Sequence, residues 1–246
     1  MNLKIIGTGS KGNAYLLENE QEALLIECGV SIKEIKKALD FNLKKVVGCI
    51  VTHNHLDHAK SMLEVTRCGI DVYASKGTLK DRCCFTLSRA KAIKPRETFK
   101  VGNFKIMPFD VKHDAVEPLG FLIEHPDCGK TLFLTDTYFC EYTFKGLHNV
   151  IIEANYSKEI IDRKFGPESG KEFLRNRILQ SHFSLANCKD MLSANDLAQT
   201  NNIVLIHLSD SNSDEVQFKK EVEELTGKNV TVANNGMIIP FNKTPF

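Results

Sequence analysis

The stretch His53-Asn54-His55-Leu56-Asp57-His58 places three imidazoles and one carboxylate within six residues. It directly follows the apolar run 46–52, whose continuous hydrophobicity is typical of a buried strand. Neutral imidazole and ionised carboxylate are both good ligands for zinc and similar divalent ions. The stretch therefore predicts a metal site at the end of a strand.

The spacing within this stretch indicates two ions. His53 and His55 leave an extended segment on the same side and can hold one ion together. Asp57 and His58 fall where the chain turns into the next helix, predicted over 59–68 with Gly69 as its stop, and so face a second ion. A pair of ions about 3.5 to 4 Å apart is an arrangement used for hydrolysis. An exposed His-rich turn and a closed structural zinc site are the alternatives, and the second would usually be rich in cysteine.

Further ligand types occur at the ends of other predicted strands. His113 follows the run 104–111, Asp136 ends the run 131–135, and His207 ends the run 203–206. Because α/β folds gather functional groups at the downstream ends of their strands, these residues extend the set. His182 instead precedes a predicted helix over 185–199, and His125 lies in a turn composition that predicts a surface position.

With these residues in place, the chain resembles the metallo-β-lactamase superfamily, whose signature H-x-H-x-D-H is matched in full. Within it the resemblance is greatest to the YycJ-like (WalJ-like) group of bacterial and phage exonucleases, and it runs from end to end. The segments that carry it are 9–13 (GSKGN), 113–115 (HDA), 135–136 (TD), 153–155 (EAN), 177–178 (RI), 181–184 (SHFS) and 207–209 (HLS). Glu27 departs from the pattern, since the family usually has Asp there.

The resemblance implies an α/β fold, a four-layer αββα sandwich formed by a single domain over 1–246. It also implies two divalent metal ions, zinc in the first place, with manganese or iron as alternatives. One ion would be held by His53, His55 and His113, the other by Asp57, His58 and His207, with Asp136 bridging the two.

The chemistry implied is metal-assisted hydrolysis of a phosphodiester by an activated water. The residues expected to be catalytic are Asp57, Asp136 and His182, of which Asp136 would orient the nucleophile and His182 would assist the leaving oxygen. Those expected to bind substrate are Ser10, Lys11, Asn13, Asn155 and Arg177. The loop 10–13 would hold a terminal phosphate through its backbone amides and Lys11.

Composition limits where the protein works. With 246 residues and 42% apolar content the chain can bury one large core, and the strands alternate with helical stretches. The segment 1–7 is too short and strand-like for a signal peptide, and no apolar run approaches the ~18 residues of a membrane span. Eight scattered cysteines suit a reducing compartment. We therefore expect a cytoplasmic protein without a membrane partner, which argues against a secreted antibiotic hydrolase.

Charge bears on the substrate. The net charge of +1 does not indicate a nucleic-acid-binding protein, so any binding of nucleic acid depends on local patches of positive charge. The segment 76–100 is rich in Lys and Arg, although an ordinary solvated face explains it equally well. A second basic group leads toward His182 and comprises Arg163, Lys164, Lys171, Arg175 and Arg177. The interval between Asp136 and His182 is too short for the extra domain of the RNA-processing branch, since domains need roughly 50 residues or more.

The resemblance, taken with these observations, implies a 5′ to 3′ DNA exonuclease, with nucleic acid as partner and DNA preferred to RNA; the sequence does not indicate an oligomeric state. A small-molecule phosphodiesterase or thioesterase would share every ligand, because one fold hosts many substrates. A non-enzymatic metal-binding module is the third reading.

Overall fold

Two β-sheets face each other at the centre of the structure, a computed structural model that describes residues 1–165, 170 and 172–244. The strands are β1 Asn2–Gly7, β2 Ala14–Glu18, β3 Ala23–Ile26, β4 Val46–Ile50, β5 Val72–Ser75, β6 Ala90–Ile93, β7 Phe99–Val101, β8 Phe104–Asp110, β9 Leu119–His125, β10 Gly129–Leu134, β11 Asn149–Glu153, β12 Asn202–Ile206, β13 Asn229–Val232 and β14 Ile238–Pro240. The first sheet has the order β14-β1-β2-β3-β4-β5-β6 and the second β13-β12-β11-β10-β9-β8-β7.

Helices cover the outer faces of both sheets. They are α1 Ile32–Ala38, α2 Leu56–Ala59, α3 Met62–Arg67, α4 Lys76–Asp81, α5 Lys158–Lys164, α6 Glu172–Ser181, α7 Leu185–Ala194 and α8 Glu215–Thr226, with a 3₁₀ turn at Leu43–Lys45. None of the helices within the described residues is long and apolar enough to cross a membrane.

Strand residues alternate between a central and an outer core. In β2, Tyr15 points into the cluster between the sheets, while Leu16 joins the cluster under α1 to α4. In β12, Val204 lies between the sheets, while Leu205 joins the cluster under α7 and α8. Because successive strand residues face opposite sides, each strand serves two cores. The predicted four-layer αββα sandwich is confirmed.

Strand direction places the functional residues at one edge. Strands β10 to β13 pair in parallel, as do β3 to β6, and β8 runs in the direction of β10 because both are antiparallel to β9. The downstream ends of β8, β10, β11 and β12 therefore share one rim of the second sheet, and the contacts of His53 with His113 and of His58 with His207 place the end of β4 at the same rim. The sequence pattern predicts this arrangement for β4, β8, β10 and β12.

Two details differ from the sequence expectation. The helix predicted over 59–68 begins earlier, inside the motif at Leu56, and is broken into α2 and α3. At the break the Ser61 backbone N–H donates to Cys28 O at 2.9 Å and its hydroxyl donates to Val30 O at 2.6 Å. The predicted surface position of His125 is wrong: the residue is buried and its Nε2 lies 3.1 Å from Glu22 Oε1.

Candidate metal centre

Three histidines gather where β4 and β8 end. His53 and His55 follow β4 in extended conformation, and His113 follows β8. The ring centroid of His53 lies 4.7 Å from the ring centroid of His55 and 4.7 Å from that of His113. One ligand nitrogen of each residue lies within 4.8 Å of the others, so the three can hold one ion.

The protein atoms leave a buried nitrogen in this group unsatisfied. His53 Nε2 is inaccessible to solvent and has no hydrogen-bond partner among the described residues. A buried polar atom without a partner is costly, and a divalent metal ion is a partner that the lone pair of an imidazole nitrogen binds. The residues therefore fit a divalent ion.

A second group forms on helix α2 and at the end of β12. Helix α2 puts Asp57 and His58 in one turn, and its N-cap residue is His55. Asp57 Oδ2 lies 3.6 Å from His58 Nε2 and 3.6 Å from His207 Nε2. These three residues also offer ligand atoms within 4.8 Å of one another.

Asp136 lies between the two groups, directly after β10. Its Oδ1 is 3.3 Å from His58 Nε2 and 3.0 Å from His207 Nδ1, and its Oδ2 is 3.8 Å from His113 Nε2. The Thr135 hydroxyl donates to Oδ1 at 2.7 Å. A carboxylate that bridges two ions has to lie within reach of both ligand groups, and Asp136 occupies such a position.

Three strand ends around the centre carry left-handed backbone at non-glycine residues. The φ angles are 63° at Glu27, 40° at Asp136 and 55° at His207. Such conformations are strained for residues with a Cβ and cluster at functional sites. They turn the side chains from the strand direction toward the shared rim.

Hydrogen bonds to the outer ring nitrogens orient the histidines. His113 Nδ1 donates to Ser181 O at 2.7 Å, and His53 Nδ1 lies 2.9 Å from Thr52 Oγ1. Because a carbonyl oxygen only accepts hydrogen bonds, the His113 proton lies on Nδ1. Nε2 is therefore unprotonated, and its lone pair faces the centre. Outer partners of this kind orient ligands and tune their basicity.

Glu27 supports His58 despite departing from the family's usual Asp. It is buried, its Oε1 accepts from the Thr52 backbone N–H at 3.1 Å, and its Oε2 lies 3.6 Å from His58 Nδ1. The carboxylate expected at this place is therefore retained on a longer side chain.

Glu153 is a site residue to which the sequence pattern gives no role beyond its place in the segment 153–155. It is buried at the end of β11, and its Oε1 accepts from His182 Nδ1 at 2.8 Å and from His207 Nδ1 at 2.9 Å. Its Oε2 accepts from the Phe183 backbone N–H at 3.0 Å. The signal was an acidic residue ending an otherwise apolar strand, the pattern that singled out Asp136.

The electrostatic field of the centre favours cations. Burial lowers the pKa of His58, but the Asp136 and Glu27 carboxylates outweigh it and raise that pKa to about 10. Burial likewise opposes a charged His207, while Asp136, Asp57 and Glu153 raise its pKa well above the usual value. The negative charge that stabilises protons here stabilises metal cations equally.

The loop 9–13 packs against the centre through Asn13. Asn13 is buried; its Oδ1 accepts from Gly9 N at 2.9 Å, and its Nδ2 lies 3.1 Å from His58 Nε2 and 3.2 Å from Asp57 O. The expected contact of Asn13 with substrate is therefore corrected, because its amide is enclosed by the protein. Lys11 is exposed and pairs with Asp210 at 3.2 Å.

The centre opens on a cavity of about 610 Å³, called here the central cavity. The predicted residues Ser10, Asn155, Arg177 and His182 line it together with most of the ligand candidates. Asn155 Nδ2 donates to His207 O at 2.8 Å, so this side chain also supports a ligand backbone. Arg177 is the one lysine or arginine among the described residues that line the cavity.

The other basic residues lie elsewhere. Within the described part of the chain, no Lys or Arg of the segment 76–100 lines the central cavity. In the second basic group, Arg175 pairs with Asp162 at 2.6 Å, and Lys171 falls outside the described residues. Arg177 is thus the member of that group brought to the centre.

Comparisons with known proteins agree with this geometry. A family model described as a β-lactamase superfamily domain matches residues 23–208. The exodeoxyribonuclease YycJ of Bacillus anthracis is 27% identical in an alignment of 235 positions that covers 87% of this chain and 84% of the relative. The exodeoxyribonuclease WalJ of Streptococcus pneumoniae strain D39 is 29% identical in an alignment of 225 positions that covers 85% of this chain and 82% of the relative. The metallo-β-lactamase fold protein YhfI of Bacillus subtilis has a TM-score of 0.70 at 15% identity, over 96% of this chain and 98% of that one.

Proposed function

The chain belongs to the β-lactamase superfamily and is a hydrolase of the metallo-β-lactamase fold, and on that premise we propose that it is a metal-dependent 5′ to 3′ DNA exonuclease. The observation that carries the proposal is the position of Asp136 between two groups of ligand residues at the base of an open cavity. Two relatives that cover most of the chain bear the name exodeoxyribonuclease, which supports DNA as the substrate.

We propose two divalent ions, zinc in the first place, with manganese or iron served by the same donor types. His53, His55 and His113 would hold one, Asp57, His58 and His207 the other, and Asp136 both. When bound, the ions would lower the pKa of the attacking water and neutralise charge on the phosphate.

The chain's own residues orient and transfer protons. Asp136, fixed by the Thr135 hydroxyl, would accept a hydrogen bond from the attacking water and align it. Glu153 accepts a hydrogen bond from His182 Nδ1–H, so His182 would offer Nε2 to the leaving oxygen. Arg177 and Ser10, which line the cavity, would bind phosphate oxygens, and Lys11 would bind a terminal phosphate at the exposed edge of its loop.

A small-molecule phosphodiesterase or thioesterase is the second candidate. The central cavity of about 610 Å³ lies within the range of roughly 300 to 1,000 Å³ that small-molecule sites occupy. Its ligand residues would be the same, and only the substrate would differ.

One set of assays separates the two candidates. Metal-loaded protein is incubated with linear duplex DNA, single-stranded DNA, RNA and bis-p-nitrophenyl phosphate, with Asp136→Asn as the inactive control. We expect release of mononucleotides from DNA, beginning at 5′-labelled ends. Cleavage of the small ester and of no polymer would make the exonuclease proposal wrong, and cleavage from the 3′ end alone would reject its polarity.

We also propose that residues 1–246 form one domain and that the protein works in the cytoplasm. The eight cysteines are free thiols, and burial raises the pKa of several, Cys188 among them, which keeps them unreactive. Buried free thiols suit a reducing compartment.

A further inference from the structure

Helix α6 borders the central cavity and leaves two large apolar side chains in solvent. Phe173 is 80% exposed and Leu174 is 45% exposed. The helix is held by Ile178 and Leu179, which pack against the small cluster around Tyr156. Phe173 therefore does not help to anchor the helix. Single exposed apolar residues are common on protein surfaces, so Phe173 is of interest only because of the space that it lines.

Helical spacing gives α6 two adjoining stripes. Leu174, Arg177, Ile178 and Ser181 line the central cavity, which is the spacing i, i+3, i+4 and i+7 of one helix face. Phe173, Asn176, Arg177 and Gln180 follow the same spacing one residue earlier and line a second groove of about 540 Å³.

The groove adjoins the central cavity. Arg177, Ser181 and Asp114 line both spaces. We call it the α6 groove. A substrate too long for the cavity must leave it by some path, and this path passes Arg177.

The side chains of the α6 groove suit a nucleotide. Arg177 forms no ion pair with any described residue, whereas its neighbour Arg175 is paired with Asp162. A free guanidinium binds phosphate through a planar fork, and an exposed aromatic ring stacks on a base. Asn176 and Gln180 add amide donors and acceptors to the lining of the groove.

We propose that the α6 groove is a nucleotide subsite adjoining the scissile phosphate, in which Phe173 stacks on the nucleobase and Arg177 binds the connecting phosphate. The proposal rests on the phosphodiesterase function proposed above. It makes the groove the feature that distinguishes a nucleic-acid chain from a small ester, because a small ester fills the central cavity alone.

The test compares two substrates of one metal-loaded enzyme. For Phe173→Ala we expect kcat/KM for a single-stranded oligonucleotide to fall about tenfold or more relative to kcat/KM for bis-p-nitrophenyl phosphate, the range that loss of one stacked base gives. Phe173→Trp should restore the ratio, since tryptophan retains the stacking face. Phe41→Ala is the matched control, because Phe41 is 69% exposed and lines neither space.

An abasic substrate identifies the contact as stacking. When the base next to the scissile unit is absent, Phe173→Ala should cause no further loss, whereas Arg177→Gln should still lower kcat/KM for the oligonucleotide. DNA and RNA oligonucleotides are run in parallel, and both should respond, since every base has a stacking face.

The outcomes are distinguishable from failure of the function itself. A wild-type enzyme that cleaves no oligonucleotide overturns the proposed function, and this proposal with it. A wild-type enzyme that cleaves oligonucleotides, with an unchanged ratio in Phe173→Ala, overturns the subsite alone.

Discussion

Asn13 illustrates how a residue can serve a site without touching substrate. Its buried amide contacts both proposed ligand residues of α2, at Asp57 O and His58 Nε2. Lys11, two positions earlier, is exposed. The same short loop thus combines a residue that contacts the proposed metal ligands with an exposed lysine that pairs with Asp210 at the surface.

We expect Asn13→Ala to lower metal affinity about 10- to 100-fold, the usual effect of removing a partner that orients a ligand. Metal content measured by elemental analysis after gel filtration checks this, and excess metal should restore most of kcat. Lys11→Ala is the comparison: it should keep its metal and instead lose preference for 5′-phosphorylated ends. Full metal content in Asn13→Ala would contradict the positioning role.

Glu22 acts at the scale of elements, because it links the two sheets. It stands just before β3 of the first sheet and accepts hydrogen bonds from Asn103 N at 3.0 Å, from Asn103 Nδ2 at 2.6 Å and from His125 Nε2 at 3.1 Å. Asn103 lies in the connection between β7 and β8, and His125 is the last residue of β9, so both belong to the second sheet. Burial raises the pKa of Glu22, but these bonds outweigh it and leave the pKa below the ordinary 4.5.

The pKa of Glu22 is lower in the folded protein than in the unfolded chain, and this fixes the sign of the pH dependence of stability. The contribution of Glu22 to stability is present above about pH 4.5 and is lost as pH falls through the lower, folded pKa. Glu22→Gln should therefore cost about 1 to 3 kcal/mol at pH 7 and flatten the rise of unfolding free energy with pH below 5. Urea unfolding from pH 3 to 7 measures both, with exposed Glu20→Gln as control; an equal slope in the two variants would contradict the prediction.

Gly29 controls how closely helix α2 approaches the first sheet. A Cβ at this position would lie 1.7 Å from Asp57 O and 2.7 Å from His58 N. Only glycine allows the backbone of the ligand residues to pack here.

Gly29→Ala should therefore displace Asp57 and His58, lower metal content and destabilise the fold by about 1 to 3 kcal/mol, the usual cost of overpacking. Gly69→Ala provides the comparison: no atom lies within 4 Å of its Cβ, and only its φ of 87° opposes the substitution. It should lose some stability and keep its metal. Elemental analysis and urea unfolding separate the two effects, and normal metal content in Gly29→Ala would refute the steric argument.

At the scale of the whole molecule, strand ends were the most predictable feature. His113, Asp136 and His207 could be placed from sequence because parallel strands end at one rim, so local patterns sufficed. Contacts between distant segments could not be read in this way. The Ser61 bonds that break the predicted helix, the enclosure of Asn13 and the burial of His125 against Glu22 all join residues far apart in the chain. The α6 groove likewise depends on how one helix lies against another segment.

The proposed ions would join the two halves of the sandwich. His53, His55, Asp57 and His58 follow β4 of the first sheet, whereas His113, Asp136 and His207 follow strands of the second. Ions held by both sets bind the folded state and have no preformed site in the unfolded chain. They should therefore add stability as well as activity.

Removing the metal with a chelator should lower the thermal midpoint. A site kept at 100 times its dissociation constant contributes about 2.7 kcal/mol, which corresponds to roughly 5 to 10 °C in a domain of this size. Calorimetry of metal-loaded and chelated protein measures the difference, elemental analysis confirms removal, and readdition of zinc should reverse it. Asp136→Asn, which weakens the residue lying between both groups, should show a smaller difference than the wild type. Equal midpoints with and without metal would mean that the ions do not join the sheets, even if hydrolysis needs them.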